Sequence, residues 1–414
     1  MSIRSLPGGV TAAAGFRAAS CAAGIKYQDR PDMAMIVADK PCAVAGTFTS
    51  NYVKAAPVIW NMGIVKTDGV AQAVVVNAGI ANAGTGKTGM ELCEASAKAA
   101  GEALGIPTEG VLLGSTGVIG PNLPLDRITY GINTMAAGLS DTLEAGTLAS
   151  KAIMTTDTVN KEFAVAFDLP AADGSTVTVH LGGMSKGSGM IHPNMCTMLA
   201  YVTTDCAIAQ PLMQKALCDV VQDTFNMISV DGDTSTNDTL LVFANGLAGN
   251  TKIREEGPAY ELFREALFSV CRDLAVTMAG DGEGATHLIE MTVTGADTKE
   301  HARTLARSVV SSSLVKAMIY GRDANCGRVL CALGYAGPAF DPAKVELYLL
   351  GENETVCFYK DGFVQDFDEE KAAAILSERA VRMTCDMKMG SEQATAWGCD
   401  LTYDYVKING DYRS

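Results

Sequence analysis

The chain has 414 residues, 48% of them hydrophobic, enough to bury a large core and more than one domain. Its formal net charge of −15 excludes the basic footprint that nucleic acid or an anionic membrane surface requires, and fits a soluble protein kept apart by its own charge. The 12 cysteines include no CxxC pair, the start MSIRSLPGGVTAAAGF has no apolar core, and no run of about 18 apolar residues occurs. Neither a disulfide framework, a signal peptide nor a membrane span is therefore expected, and the expected location is cytoplasmic.

After a glycine- and alanine-rich opening, residues 33–38 (MAMIVA) and 43–47 read as two strands around Lys40 and Pro41. The nearly continuous apolar run 71–77 (AQAVVVN) predicts a buried strand, followed by a loop and a helix over 90–104. In that loop Gly84, Gly86 and Gly89 spell GxGxxG, the setting of a dinucleotide site. The loop is long, and no ribose-binding acid on a second strand follows at ~20 residues. The GKT at 86–88 lacks the first glycine of a P-loop, where Ala81 stands, so nucleotide binding is not expected. A strand over 111–115 runs into Thr116-Gly117. Those residues fit a tight turn, and they also fit an oxyanion hole, since glycine lets a backbone N–H approach closely and threonine adds a hydroxyl donor. A helix over 143–154 ends at Thr155-Thr156-Asp157, and Val177, Val179 and Leu181 alternate with polar residues as a strand.

The stretch 182–205 reads GGMSKGSGMIHPNMCTMLAYVTTD. Thr197 opens an apolar run that fits a buried strand. The same threonine becomes a nucleophile if the bond before it is cut. A hydroxyl needs a base beside it, and a freed α-amino group, with a pKa of roughly 7.7–8.0, serves as one. A helix over 211–228 follows, then SVDGDTSTND. Asp231, Asp233 and Asp238 invite a cation, but a calcium loop counted from Asp231 needs glycine and glutamate where Thr236 and Val242 stand, so no metal is expected. Further helices are predicted over 258–278, 302–318 and 369–383, and strands over 288–294, 329–333, 345–350, 355–359 and 400–408. Glu283, between Gly282 and Gly284, reads as a turn acid or as one with little steric cover that meets a ligand. His180, His192, His287 and His301 lack metal-ligand spacing.

Several motifs stand in a fixed order: GGVTA at 8–12 with Gly15-Phe16, NAGIANA at 77–83, TTD at 155–157, KGSGM at 186–190 with Pro193, TML at 197–199, TTD at 203–205, VDGDTSTND at 230–238, GEGAT at 282–286, RDANCGR at 322–328, and a terminal IN…Y.S. Together they resemble the ornithine acetyltransferase (ArgJ) family, glutamate N-acetyltransferases of arginine biosynthesis, from Gly8 to Ser414. Ile80, Cys196, His287 and Cys326 depart from the family pattern, which usually has alanine before the nucleophile, lysine after GEGAT and tryptophan in RDxNWGR.

The resemblance implies an α+β fold, a self-processing αββα layered sandwich with mixed sheets. It implies cleavage between Cys196 and Thr197 into an α chain (1–196) and a β chain (197–414), assembled as an α2β2 heterotetramer. It implies Thr197 as nucleophile, Thr116 and Gly117 as oxyanion hole, and Thr155, Lys186, Thr197, Glu283, Asn409 and Ser414 as substrate-binding residues. The implied reaction is ping-pong acetyl transfer from N2-acetylornithine to glutamate, with no cofactor and with acetyl-CoA as a further donor. A self-processing amidase or aminopeptidase of related architecture is the alternative, differing in whether water or an amine accepts the acyl group.

Overall fold

The computed structural model describes residues 3–67, 69–192 and 198–411. The chain divides into two units. The first is drawn from Met1–Gly187, Pro193–Phe225 and Thr234–Leu274, and the second from Ser188–His192, Asn226–Asp233 and Ala275–Ser414.

The first unit is built on one mixed sheet. Its strands run, in spatial order, Arg4–Leu6, Lys161–Pro170, Thr176–Lys186, Leu199–Thr204, Thr239–Ala244, Met33–Phe48, Val70–Asn77 and Val111–Ser115, with Phe16–Cys21 also paired to Met33–Phe48. Leu199–Thr204 runs parallel to Thr239–Ala244, and Val70–Asn77 parallel to Val111–Ser115. The continuous apolar runs are explained by covering on both faces. Val74, Val76 and Leu112 join one core with Phe16, Ile36, Tyr201 and Leu241. On the other face Ala73, Val75, Val111 and Leu113 pack among Cys93, Ala97, Ile128 and Ile132 of helices Gly86–Leu104 and Leu125–Ala137.

The two strands expected at 33–38 and 43–47 are one 16-residue strand, Met33–Phe48. Asp39, Lys40 and Pro41 are exposed and the register to Val70–Asn77 shifts between Val37 and Cys42. Proline cannot donate to a ladder, and a bulge takes it up without ending the strand. The helix expected over 211–228 stops at Gln222, and Ile228–Ser229 is already a strand.

Helix Pro258–Gly280 carries the chain from the first unit into the second. There the sheet order is Phe363–Val364, Thr355–Lys360, Glu346–Leu350, Ala380–Asp386, Leu288–Ala296, Glu392–Cys399 and Ile228–Ser229, again mixed. Helix Lys299–Ser311 buries Leu305, Ala306, Val309 and Val310. The single helix expected over 302–318 breaks at Ser312, which leaves helical geometry (ψ 115°) and caps the next helix, Ser313–Gly321, by accepting the Val315 N–H. Residues 329–333, expected as a strand, lie in helix Cys326–Gly334, where Val329, Ala332 and Leu333 are buried at helical spacing. The helix expected over 369–383 is Glu369–Ile375 followed by strand Ala380–Asp386, and the strand expected over 400–408 is helix Tyr403–Gly410. The α+β expectation with mixed sheets holds. No helix among the described residues is long and apolar enough to cross a membrane.

Candidate active site

Strand Val111–Ser115 is buried throughout and ends where Gly117 takes φ +126°, a conformation side chains avoid. A Cβ at Gly117 would lie 2.2 Å from the Gly79 carbonyl carbon, so only glycine allows the two loops to touch. Thr116 N–H donates to the Asn77 carbonyl and Val118 N–H to that of Gly79, each at 3.0 Å. The buried Asn237 amide donates to the carbonyls of Ala81 (3.0 Å) and Ser115 (2.8 Å), tying both loops together. Among the described residues neither the Gly117 N–H nor the Thr116 hydroxyl has a hydrogen-bond partner, and both residues are half-buried. Fixed donors of this kind stabilise a developing oxyanion without reorganising.

In the same unit, Lys186 ends strand Thr176–Lys186 and donates to the Thr155 hydroxyl at 2.9 Å. Asp157 gathers this corner. Its carboxylate accepts the Thr155 N–H (3.0 Å), the Gly187 N–H (2.7 Å) and the Lys161 ammonium (2.8 Å), with Lys186 at 3.8 Å. Burial pushes this carboxyl up, but the Lys186 and Lys161 charges and the hydrogen bonds outweigh it and hold the group well below the usual carboxylate range. For a second carboxyl of this unit, Asp238, burial outweighs the hydrogen bonds and the Lys186 charge that oppose it, and its pKa is raised.

In the second unit, Glu283 is buried and accepts a hydrogen bond from the Asn409 amide at 2.7 Å. Its N–H donates to the Ser188 carbonyl, and its carboxyl lies against Gly189, where a Cβ would come within 2.4 Å. The flanking glycines do not leave Glu283 uncovered, contrary to the expectation from the sequence. They admit neighbours: a Cβ at Gly282 would meet the Cys399 sulfur at 2.5 Å, and one at Gly284 (φ +71°) would meet Thr402 and Asp404 at 2.9 Å. Asp231, weighed as a cation ligand, accepts the Met190 (2.6 Å) and Ile191 (2.9 Å) N–H groups. Among the described residues no metal-holding group of three His, Cys, Asp or Glu occurs. His287, in the family's lysine position, pairs with buried Asp400 at 3.0 Å. Burial and the Arg307 and Lys316 charges push the His192 imidazole down to about 4.

The predicted residues thus meet in pairs: Thr116 with Gly117, Thr155 with Lys186, Glu283 with Asn409. Cys196, Thr197 and Ser414 lie outside the described residues. Sequence reasoning missed Asp157 and Lys161 as the anchor of Lys186, though Asp and Lys at i and i+4 were a visible signal. It also missed Asn237 and Asp238 inside the motif weighed only for metal. Gly89, the last glycine of GxGxxG, makes room for Asn82 and Thr85, whose side-chain atoms its Cβ would meet at 2.8 and 2.1 Å.

The ArgJ family profile matches residues 17–414. The chain is 52% identical over 411 residues to the arginine biosynthesis bifunctional protein ArgJ of Symbiobacterium thermophilum, covering 99% of each chain. It is 46% identical over 409 residues to the protein of the same name from Caldanaerobacter subterraneus, again covering 99% of each. Among solved structures it is similar to the arginine biosynthesis bifunctional protein of Bacillus halodurans, at 44% identity and TM-score 0.49, over 51% of this chain and 97% of that one. The chain belongs to the ArgJ family.

Proposed function

We propose that the protein is a self-processed acetyltransferase of arginine biosynthesis that moves acetyl from N2-acetylornithine to glutamate and also accepts acetyl-CoA. Cleavage between Cys196 and Thr197 gives an α chain (1–196) and a β chain (197–414) that assemble as α2β2 in the cytoplasm. Thr197 attacks the acetyl carbonyl, its own α-amine taking the hydroxyl proton. The Thr116 hydroxyl and Gly117 N–H receive the oxyanion, the Thr197 ester forms and ornithine leaves. Glutamate then takes the acetyl group by the reverse chemistry. Lys186 and Thr155 bind the substrate's carboxylate, and Glu283 with Asn409 and Ser414 binds its ammonium.

The observation that carries this reading is the Thr116–Gly117 turn. It offers two fixed donors without partners among the described residues, on loops locked by Asn237. Strand pairing supports processing without dissociation: Thr176–Lys186, before the cut, is hydrogen-bonded along Leu199–Thr204, after it. The test is acetyl transfer from N2-acetylornithine to glutamate by the wild type, Thr197→Ala and Gly117→Ala. Loss of transfer is expected in both variants. Full transfer by Thr197→Ala would remove Thr197 as the nucleophile.

A further inference from the structure

Asp32 folds a loop that joins two parts of the proposed site. It is buried, its carboxylate accepts the Ala23 (2.7 Å) and Ile25 (2.6 Å) N–H groups, and its carbonyl accepts the Ala78 N–H at 2.8 Å. The loop is thereby laid against Gly79, the residue that Gly117 touches. A Cβ at Gly79 (φ +101°) would lie 2.8 Å from the Lys26 Cβ and 3.5 Å from the Tyr27 ring. At the other end of the loop Arg30 donates to the Met154 carbonyl, one peptide link from Thr155. Its guanidinium carbon stands 4.0 Å from the centroid of the Tyr27 ring, a cation–π contact that holds the group in place. Residues 26–30 therefore run from the Thr116–Gly117 turn to the Thr155–Lys186 corner, all within the first unit.

Arg30 has what an anion-binding arginine needs. Its Nε has no hydrogen-bond partner, and the residue forms no ion pair, among the described residues. Donors held inside a folded chain are satisfied as a rule, so an idle guanidinium edge calls for an anion from outside the chain. That edge offers two parallel N–H donors, the geometry of a carboxylate. Among the groups hydrogen-bonded or ion-paired around residues 154–157, one carboxylate, Asp157, stands with three cations, Lys161, Lys186 and Arg30. In a chain of net charge −15 this local excess of two positive charges is unusual, and it matches a ligand with two carboxylates.

The two amino acids of the proposed transfer pose a charge problem that one cation does not meet. N2-acetylornithine carries one carboxylate and a side-chain ammonium, whereas glutamate carries a carboxylate at both places. A carboxylate leaves water only where charge and hydrogen bonds replace its hydration. Resting on the acetyl-transfer reading above, we infer that Arg30 binds the side-chain carboxylate of the acceptor glutamate, while Lys186 holds the α-carboxylate that both substrates share. Arg30 then selects a dicarboxylic amino acid as acceptor and takes no part in the first half-reaction.

In a ping-pong scheme kcat/KM for each substrate reports its own half-reaction, so steady-state kinetics of Arg30→Met tests the assignment. For glutamate kcat/KM is expected to fall about 10–100-fold, the size of a lost hydrogen bond to a charged group, and for N2-acetylornithine to stay within about twofold. The preference for glutamate over glutamine as acceptor should shrink by a similar factor. Arg30→Lys keeps the charge without the fork, and its kcat/KM for glutamate should fall between those of the wild type and Arg30→Met. An arginine that only ties down the end of helix Leu143–Ala152 would change both half-reactions together. Equal losses in both, or an unchanged kcat/KM for glutamate, would overturn the inference. A loss confined to acetyl-CoA as donor would place Arg30 on a phosphate of that donor and overturn it as well. If Arg30→Met fails to fold, Arg30→Lys decides by the same ratio. Wild type that transfers no acetyl group to glutamate would instead overturn the acetyl-transfer reading itself.

Discussion

Asp157 and Asp238 are both buried carboxyls in the same unit, and their surroundings drive them in opposite directions. Asp157 has the Lys161 ammonium at 2.8 Å and Lys186 at 3.8 Å, and stays ionised despite burial. For Asp238, burial outweighs the Ser235 and Thr49 hydroxyls, the Lys186 charge and a peptide N–H, and holds it toward the neutral acid. Burial is common to both, so the adjacent cation decides. One acid anchors Lys186 as a carboxylate, and the other is held toward its neutral form.

The contrast breaks most severely at Lys161, which is 1% exposed. Lys161→Met leaves Asp157 with Lys186 alone and should cost about 3–5 kcal/mol of stability, read by urea unfolding. Adding Asp157→Asn should recover part of that loss, and no recovery would mean that packing, not charge, holds the corner. Lys186→Met removes a charge that acts on both acids. It should lower kcat/KM for N2-acetylornithine by roughly 10–100-fold, the size of a lost hydrogen bond to a charged group. Equal kcat/KM would take Lys186 out of substrate binding.

The pH dependence separates the two acids by sign. Asp157 has a folded pKa below its unfolded value near 4, so its contribution is present above that pH and lost as pH falls below it. Asp238 has a folded pKa above its unfolded value. The unfolded chain then holds fewer protons, and stability declines as pH rises from about 4 toward the folded pKa. Asp238→Asn should therefore gain on the wild type as pH rises over that window, while Asp157→Asn should lose on the wild type as pH rises through the acid range below about 4 and run parallel to it above. Parallel curves for the two variants would refute the contrast. The smallest effect is expected at Asn409. Asn409→Ala removes the 2.7 Å hydrogen bond to Glu283 and should raise KM several-fold with little change in melting temperature, measured by steady-state kinetics and calorimetry.

Strands such as Val70–Asn77 and Val111–Ser115 were legible because burial on both faces writes an apolar run into the sequence. Residues 329–333 misled for the same reason. A short apolar run is shared by a strand and a buried helix, and the helix becomes visible only when Val329, Ala332 and Leu333 face one side. Helix Tyr403–Gly410 buries no residue fully, so it left no periodic signal. At the site, the pairs Thr116–Gly117 and Thr155–Lys186 followed from motifs. The upward pKa shift of Asp238 did not, because desolvation depends on what the fold packs around a group and not on its neighbours in the chain.

An acetyl group carried on Thr197 is the step on which the proposed chemistry turns. Enzyme mixed with N2-acetylornithine in the absence of glutamate, then quenched in acid and weighed, should show the β chain heavier by one acetyl group, mapped by fragmentation to its first residue. Addition of glutamate before the quench should remove it. An unmodified β chain, or an acetyl group on any other residue, would rule out Thr197 as the carrier.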